Sequence, residues 1–371
     1  MRIVMFYHSL VSDWNHGNAH FLRGIVSELL ARGMDVAVYE PERAWSLENL
    51  VADHGWAAVD RFHHAYPGLG SRRYDPATLD LDRALDGADL VLVHEWNDPA
   101  LVRRVGEHRA RGRGRYRLLF HDTHHRSVTR PEEMADYELG GFDGVLAFGR
   151  VIRDLYLATG WAERAWVWHE AADVRRFHPL PRGRPDGDLV WIGNWGDDER
   201  TAELREFLTE PVRALGLRAR VYGVRYPAAA LATLAEAGIA YHGWLANPDV
   251  PRIFSRFRIT VHVPRRPYVQ ALPGIPTIRV FEALACGIPL ICAPWDDTEE
   301  LFTPGEDFLV AQDGDDMRRT LARVLDDPDL ADGIAARGLR TIRERHTCAH
   351  RVDELLEIHR QLAATPREAA A

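Results

Sequence analysis

The sequence predicts an α/β protein built from two Rossmann-like domains in tandem. At the N-terminus, apolar runs over 2–7 and 36–39 flank an amphipathic helical pattern, which is the signature of a strand–helix–strand unit. The same alternation starts again at the apolar run 189–192. Residues 179–187 between the two patterns are rich in proline and glycine, as linkers are. Strands joined through helices form parallel sheets, so we expect one parallel sheet in each domain.

The elements follow in order along the first half. The strand over 2–7 leads into a polar loop, and the helix after it is expected to end at Gly33. Polar residues, among them His94-Glu95 and His169-Glu170, follow several of the later strands, and ligands bind at this edge of parallel sheets. The later apolar runs predict strands over 90–93, 118–120, 144–148 and 166–168.

The second half predicts helices over 201–215 and 277–286, the latter stopped by Gly287 and Pro289, and a last helix over 350–362. Its predicted strands are 189–192, 219–224, 239–243, 259–263 and one that begins at 289. The predicted domains are an N-terminal domain over 1–178, a linker over 179–187, a C-terminal domain over 188–345, and a C-terminal helix and tail over 346–371.

Composition excludes several function classes. The net charge of −9 argues against nucleic-acid binding, which needs a basic surface. All 46 basic residues are arginine, so a P-loop and a pyridoxal Schiff base, which both need lysine, are excluded. The three cysteines have no metal-ligand spacing, and no apolar run is long enough to cross a membrane. We therefore expect a cytoplasmic protein.

A dinucleotide cofactor is the first alternative for such a fold. The first strand–helix turn should then read G-x-G-x-x-G, but it holds only Gly17, with Gly24 inside the helix. Glu40 ends the second strand, where a ribose-binding acid would lie, but one acid there is weak support. The sequence therefore disfavours NAD and FAD.

Several motifs resemble a known family. The stretch from Thr277 to Pro289 is similar to the C-terminal signature of retaining group-1 glycosyltransferases of the GT-B class. The fuller pattern resembles their CgeB-like, spore-maturation-type branch. The segments that carry this resemblance are Asn15–Asn18, His94–Asn97, His121–His125, His169–Asp173, Trp191–Trp195 and Thr277–Pro289.

The resemblance implies the GT-B fold, in which two Rossmann-like domains face each other across a cleft and the last helix returns to the N-domain. It implies transfer of a hexosyl group from a nucleotide diphosphate sugar to a hydroxyl acceptor, with retention and without a metal or cofactor. Two alternatives stay open: a GT-B sugar-nucleotide epimerase, and a non-catalytic protein that binds nucleotide sugars.

Glu282 is the candidate for the ribose diol, because an ionised carboxylate can accept hydrogen bonds from both hydroxyls. The alternative is an ion pair with Arg279, three residues earlier, on a solvated helix face. The family usually carries a second glutamate eight positions before, where this chain has Gly274. Backbone amides of 273–277 are the expected replacement in recognising the donor sugar.

The remaining donor contacts are expected from loops and helix starts. Arg279, Arg200 and the free amides at Asn18 and Thr277 would share the diphosphate. Arg200 could instead be a surface charge. Trp244 is placed near the nucleotide base. The predicted donor-binding residues are Gly17, Asn18, Asn194, Arg200, Trp244, Thr277, Arg279 and Glu282.

His124 and Asp122, together with Arg279, are the candidate catalytic residues. His121, Asp122, His124 and His125 crowd one strand end, where a histidine could contact the sugar or the acceptor. Structural hydrogen bonding and a zinc site are the alternatives.

Seven arginines lie within residues 103–117, a composition that can dock on anionic membranes. No apolar face accompanies them, so a solvated helix and turn is favoured over peripheral membrane contact.

Overall fold

The computed structural model describes residues 1–112 and 115–364. The chain divides into two compact units, one of residues 1–169 with the C-terminal segment from Cys348, the other of residues 170–347. Each unit contains one sheet in which every paired strand is parallel. The predicted fold class, two α/β Rossmann-like domains, is therefore confirmed.

The first unit holds a seven-stranded sheet. Strand β1 pairs with β2 on one side and with β4 on the other, so the chain reverses its direction of winding between β1 and β4. Ligands of open parallel sheets bind at such a switch point, outside the carboxyl ends of the strands. The strands are β1 Arg2–Phe6, β2 Asp35–Pro41, β3 Ser71–Tyr74, β4 Leu90–His94, β5 Arg117–Asp122, β6 Gly144–Ala147 and β7 Ala165–Val167, in the spatial order β3-β2-β1-β4-β5-β6-β7.

The helices of this unit cover the sheet. The first buries Phe21, Leu22, Ile25 and Leu29, as its amphipathic pattern predicts. The edge strand β3 is mostly polar, so the apolar pattern does not reveal it. The helices are α1 Asn18–Ala31, α2 Trp45–His54, α3 Ala57–Ala65, α4 Leu81–Ala84, α5 Pro99–Ala110, α6 Arg126–Thr129, α7 Pro131–Met134 and α8 Arg150–Ala158.

The second unit holds a six-stranded sheet with its switch point between β8 and β11. The strands are β8 Gly187–Ile192, β9 Ala219–Tyr222, β10 Ala240–Tyr241, β11 Phe257–His262, β12 Leu290–Cys292 and β13 Leu309–Val310, in the order β10-β9-β8-β11-β12-β13.

The predicted helix over 201–215 exists, with a π-helical segment, Arg205–Thr209, in its middle. Its buried residues Leu204, Leu208 and Val212 join a core cluster with Trp191 of β8. The helices of this unit are α9 Thr201–Leu204, α10 Glu210–Leu215, α11 Ala228–Glu236, α12 Val250–Phe254, α13 Arg266–Gln270, α14 Ile278–Cys286, α15 Gly314–Asp326 and α16 Pro328–Arg345.

Residues 170–187, which the sequence divides between the N-terminal domain and a linker, belong to the second unit. Ala172 forms a bridge with Thr347, and Arg182 donates to the Gly287 carbonyl. Phe177 is fully buried. The boundary therefore lies near residue 169, because a proline- and glycine-rich segment still packs when apolar and arginine side chains anchor it.

The last helix, α17 Cys348–Ala364, belongs to the first unit, as the sequence analysis expected. It packs against α1 and β5. Val352, Leu355, Ile358 and Leu362 form its buried stripe. The Trp168 indole donates to the Arg351 carbonyl over 2.8 Å, so the end of β7 is joined to this helix.

Within residues 1–112 and 115–364, no helix is both long and apolar enough to cross a bilayer. Several arginines of the basic segment pair with nearby carboxylates: Arg103 with Glu138 and Arg111 with Glu107. Arg113 and Gly114 lie outside the described residues. These ion pairs reduce the charge that the segment offers to a membrane, which agrees with a solvated helix and turn.

Leu355→Ala should lower the free energy of unfolding by about 2–5 kcal/mol, because it leaves a cavity between α17 and the first unit. The measurement is equilibrium denaturation. Gln361→Ala, on the exposed side of the same helix, is the control and should change stability by less than about 0.5 kcal/mol. Equal effects of the two substitutions would show that α17 does not brace the unit.

Candidate functional site

Two loops meet at the switch point of the six-stranded sheet. One follows β8 and contains Asn194 and Trp195, and the other follows β11 and begins with Val263. Arg200, only 9% exposed, joins them: its guanidinium donates to the carbonyls of Asn194 and Trp195 in the first loop and of Val263 in the second, the last over 2.9 Å. The loops that edge this sheet are therefore tied together by one buried cation.

The alternative that Arg200 is a surface charge is thus wrong, because the side chain is enclosed. Burial and the neighbouring Arg265 lower the pKa of Arg200 to about 9, so it stays charged at neutral pH. Its three guanidinium nitrogens each donate to a backbone carbonyl. A guanidinium has five N–H groups, so this arrangement still leaves donors beyond the three carbonyl bonds.

Two arginines that the sequence analysis missed lie at the same edge. Arg265 and Arg266 lie three and four residues after the end of β11, and both are partly exposed. Arg265 pairs with Glu199 at 3.1 Å, and Arg266 pairs with Glu203 at 2.8 Å. The signal that would have found them is a basic pair a few residues after the carboxyl end of a central strand.

Glu282 lies in α14 and is 0% exposed. One carboxylate oxygen accepts from the Asn247 amide over 2.8 Å, and the other from the Arg279 guanidinium, which is about one-third exposed. The ion pair given as the alternative therefore exists, but Glu282 does not lie on a solvated helix face. The helix packs against α12, α16, β11 and β12, so nearly all its side chains are enclosed.

The start of α14 is fixed by its neighbours. Thr277 precedes the first turn, and its hydroxyl bonds with Nε2 of His262, at the end of β11, over 3.0 Å. The helix is nine residues long, and the amides of its first turn have no carbonyl partner within the helix. The expected free amides at Thr277 thus lie at the carboxyl edge of the sheet.

The amide of Gly274 is already used, since it donates to the Asp296 carbonyl over 2.7 Å. The Ile275 amide likewise donates to the Leu272 carbonyl. The expectation that backbone amides of this segment replace the missing glutamate is therefore wrong for these two residues.

The glycine itself is required for another reason. Gly274 has φ +87°, and a Cβ there would lie 2.5 Å from Cγ of Glu299 and 2.7 Å from Oγ1 of Thr298. A carboxylate side chain from the loop after β12 thus occupies the space beside the position where the family's first glutamate would be.

The other predicted donor-binding residues of this unit lie on loops that follow neighbouring strands. Asn194 is half-buried, and its Oδ1 accepts from the Val224 amide over 3.0 Å, which joins the loops after β8 and β9. Trp244 is half-buried and follows Gly243, whose carbonyl accepts from Gly223.

In the first unit, the loop after β1 is held by Glu40. Its carboxylate, 0% exposed, accepts from the amides of Leu10 and Val11, the latter over 3.0 Å. Burial raises the pKa of this carboxyl. The Glu40 carboxylate therefore bonds the backbone of this loop and is not free to bind a ribose. Gly17 is exposed and precedes α1, and Asn18 is the first residue of that helix and is buried.

The histidines after β5 separate into different environments. His121 is fully buried, and its Nδ1 bonds with the Tyr7 hydroxyl over 2.6 Å. His125 bonds with the Thr129 hydroxyl. His124 is half-buried and its ring lies 5.1 Å from that of Trp96. Among the crowded histidines, His124 is therefore placed at the surface edge, while His121 is part of the core.

Asp122 is 1% exposed, and both of its carboxylate oxygens are bonded within the protein. Its carboxylate accepts from the His124 amide and from the Tyr156 hydroxyl, each over 3.0 Å. Burial raises the pKa of Asp122 to about 6. Asp122 therefore holds the backbone of His124, and the catalytic role expected for Asp122 stays a prediction.

In the part of the chain that the structure describes, no group of three or more His, Cys, Asp or Glu side chains is arranged to hold a metal ion.

Comparison with known proteins agrees with this architecture. Residues 200–357 match the family described as glycosyl transferase-like, and this range includes Arg200, Glu282 and Glu299. No curated protein matches the chain by sequence.

Solved structures match over nearly the whole chain. The sucrose-phosphate synthase of Thermosynechococcus elongatus has a TM-score of 0.65 at 15% identity, over 98% of this chain and 99% of that one. An α-glucosyltransferase solved with UDP and a 13-mer DNA has a TM-score of 0.69 at 13% identity, over 97% and 99%. HepE of Anabaena, solved with UDP and glucose, has 0.65 at 13%, over 97% and 100%. At these identities the likeness shows the fold, which is GT-B.

The raised pKa of Asp122 predicts how Asp122→Asn changes the dependence of stability on pH. Between about pH 4 and pH 6 the unfolded aspartate is ionised while the folded one keeps its proton, so wild-type stability falls relative to the variant as pH rises. The difference should reach about 2–3 kcal/mol and then level off. The measurement is urea unfolding of both proteins at several pH values. A constant difference from pH 4 to pH 7 would contradict the assignment.

Proposed function

We propose that this protein transfers a glycosyl group from a nucleotide diphosphate sugar to a hydroxyl acceptor. The observation that carries the proposal is the buried Glu282, held by Asn247 and Arg279 within the segment that matches the glycosyl transferase-like family. The GT-B fold supports it, and UDP is present in two of the structural relatives. UDP sugars are therefore the donors to test first.

Glu282 is the proposed ribose ligand. A carboxylate with no solvent exposure is costly unless donors surround it, and here two side chains supply them. Arg279 is the partner that still reaches solvent. A ribose diol that approaches this pair can donate to the carboxylate while Arg279 turns toward the diphosphate, as bidentate guanidinium groups commonly do.

The leaving diphosphate is assigned to Arg265, Arg266, Arg279 and the first amides of α14. These groups lie on the segment that runs from the end of β11 to the first turn of α14. The helix N-terminus favours negative charge, and arginine supplies the cation that lysine supplies in other proteins. Arg200 is assigned to holding the two loops in place, with its remaining donors available to a phosphate oxygen.

Glu299 is proposed to replace the missing first glutamate. It reaches the space beside Gly274 from the loop after β12, where a carboxylate can accept from hydroxyls of the donor sugar. This supports catalytic transfer over a protein that only binds nucleotide sugars, because a carboxylate is present beside Gly274, where the family's first glutamate is missing. Product analysis separates transfer from epimerisation, which would release no glycosylated acceptor.

In the proposed reaction, the bond between the anomeric carbon and the diphosphate oxygen breaks, and a bond to the acceptor oxygen forms. The proton of the acceptor hydroxyl passes to the leaving diphosphate, which departs protonated. We propose retention of the anomeric configuration, a hexosyl group and membership of the CgeB-like branch, all from the sequence motifs. His124, positioned by Asp122, is the proposed contact to the sugar or acceptor. Catalysis then consists of positioning and charge stabilisation.

Glu282→Gln should weaken binding of UDP and of UDP-glucose by about tenfold to a hundredfold each, because a charged acceptor of two hydrogen bonds is lost. Glu299→Gln should weaken only UDP-glucose, because UDP has no sugar for it to contact. The measurement is calorimetric titration of both variants with both ligands. Glutamine keeps the volume of the buried side chain, which alanine would not.

Pyrophosphate and 2′,3′-dideoxy-UDP are the controls for this pair of variants. Wild type and Glu282→Gln should bind pyrophosphate with equal affinity. The Glu282→Gln variant should bind 2′,3′-dideoxy-UDP as tightly as it binds UDP. Glu282→Gln with wild-type UDP affinity, or with the same loss for pyrophosphate as for UDP, would contradict the ribose assignment.

We also propose that the reaction needs no metal ion, since arginines and helix amides can neutralise the diphosphate. Turnover of the donor should be unchanged after dialysis against EDTA. Activity that disappears with EDTA and returns with Mn²⁺ or Mg²⁺ would refute this; the same assay with added Ca²⁺ controls for ionic strength.

A further inference from the structure

Two exposed tryptophans lie at the carboxyl edge of the seven-stranded sheet. Trp45 begins α2, just after β2, and is 44% exposed; Trp96 follows β4 and is 43% exposed. His8 follows β1, the strand between β2 and β4, and its ring centroid lies 6.4 Å from that of each indole. The three rings, here called the tryptophan platform, therefore lie along three adjacent strand ends beside the switch point.

The platform is rigid on its protein side. The Trp45 ring packs edge-on against Trp14, whose indole donates to Asp53 over 2.9 Å. Trp96 is covered on one side by the Arg126 guanidinium, 4.2 Å from the ring centre. Arg126 in turn pairs with the buried Glu95. Large aromatic faces that are fixed yet exposed beside the switch point of a parallel sheet are typical of ligand sites.

His8 adds a hydrogen-bond donor between the indoles. Its Nε2 accepts from the Ser46 amide over 3.3 Å, so in the neutral ring the proton is on Nδ1. Burial lowers the pKa of His8 to about 4, which keeps the ring neutral at physiological pH. No group in the described residues 1–112 and 115–364 accepts from this Nδ1, which reaches the solvent. The platform thus presents a neutral N–H between two apolar faces.

The chemistry of this surface selects among ligands. His16, which packs against His8, is also kept neutral by burial, and the Arg126 guanidinium donates to the buried Glu95 carboxyl. The cation that lies on a platform ring, Arg126, is thus already bonded within the protein, which disfavours a phosphate ligand and hence nucleic acid and phospholipid, as does the net charge of −9. A pyranose ring fits better, since one face of C–H bonds packs on an indole while its hydroxyl oxygens accept hydrogen bonds.

We propose that the tryptophan platform binds a pyranose ring, so that the acceptor in the proposed transfer is a glycoside or an oligosaccharide. That the bound pyranose is the acceptor rests on the proposed function, whereas the binding of a pyranose to the platform does not. The platform lies entirely within the first unit, whereas Glu282 and the arginines proposed to bind the diphosphate lie in the second. The two assignments are therefore testable separately.

The test is saturation-transfer NMR with methyl β-D-glucopyranoside, methyl β-D-galactopyranoside and methyl α-D-mannopyranoside. At least one should receive saturation at its ring C–H protons from the wild-type protein. Trp45→Ala/Trp96→Ala should raise its dissociation constant about tenfold or more, because aromatic packing is lost. Trp56→Ala is the control: Trp56 is more exposed, at 60%, but has no ring contact with any of the three platform rings, and its removal should leave the dissociation constant unchanged.

Substitutions of His8 test the donor. His8→Ala should weaken the same pyranoside several-fold, whereas His8→Asn, whose amide N–H lies near the place of Nδ1–H, should restore part of the loss. Circular dichroism and UDP titration of every variant establish that each is folded and keeps its nucleotide site.

Three results would overturn the inference. The first is that the wild-type protein saturates no pyranoside, and the second is that the double variant saturates the pyranosides as well as the wild type does. The third is that thymidine or adenosine, and no pyranoside, receives saturation that depends on the platform, which would indicate a nucleobase ligand. If the pyranoside binds at the platform but the protein binds no nucleotide, the proposed function is refuted and the assignment of the platform as a pyranose site is retained.

Discussion

Every strand of a parallel sheet ends at the same edge as its neighbours, and the loops there carry backbone groups that must be bonded. Both units meet this constraint with buried charged side chains. In the first unit, Glu40 accepts from the amides of Leu10 and Val11, while Arg23, 1% exposed, donates to their carbonyls, each over 2.8 Å. In the second, Arg200 donates to carbonyls of the loops after β8 and β11.

These buried charges determine which groups at the carboxyl edges of the two sheets remain available to a ligand. A loop whose amides and carbonyls are bonded internally has a fixed shape, and the groups left over are side chains: the tryptophan platform in one unit, and Arg265, Arg266, Arg279 and Glu299 in the other. A chain without lysine suits this arrangement, because a planar guanidinium can bond two or three carbonyls at once and an ammonium cannot do so in a fixed plane. Arginine therefore acts both as the scaffold of the site and as its cationic surface.

The sequence predicts the parts of the fold where periodicity is strong. The apolar run at 90–93 and the helix at 277–286 both appear within one or two residues of their predicted bounds. The edge strand β3 was missed because Ser71–Tyr74 is mostly polar, as edge strands can be. The domain boundary moved because contacts with distant residues, not composition, decide where a linker belongs.

The site was harder to predict for a related reason. Local spacing shows that Arg279 and Glu282 can pair, but not that the packing of α14 against α12 and α16 buries Glu282. Asn247, the second partner of Glu282, is 35 residues away along the chain. Glu299 reaches the space beside Gly274 from another loop, so no pattern of short spacing could reveal it. In these cases the chemistry was visible in the sequence, but the environment depended on tertiary packing.

The transfer itself is tested most directly by following a panel of nucleotide sugars, UDP-glucose first, by proton NMR with methyl pyranosides as acceptors. Glycosyl transfer with retention predicts that free nucleoside diphosphate accumulates in step with a new glycosidic anomeric signal of the same configuration as the donor. An epimerised sugar with no glycosylated acceptor, or a protein that neither binds nor turns over any nucleotide sugar, would contradict it.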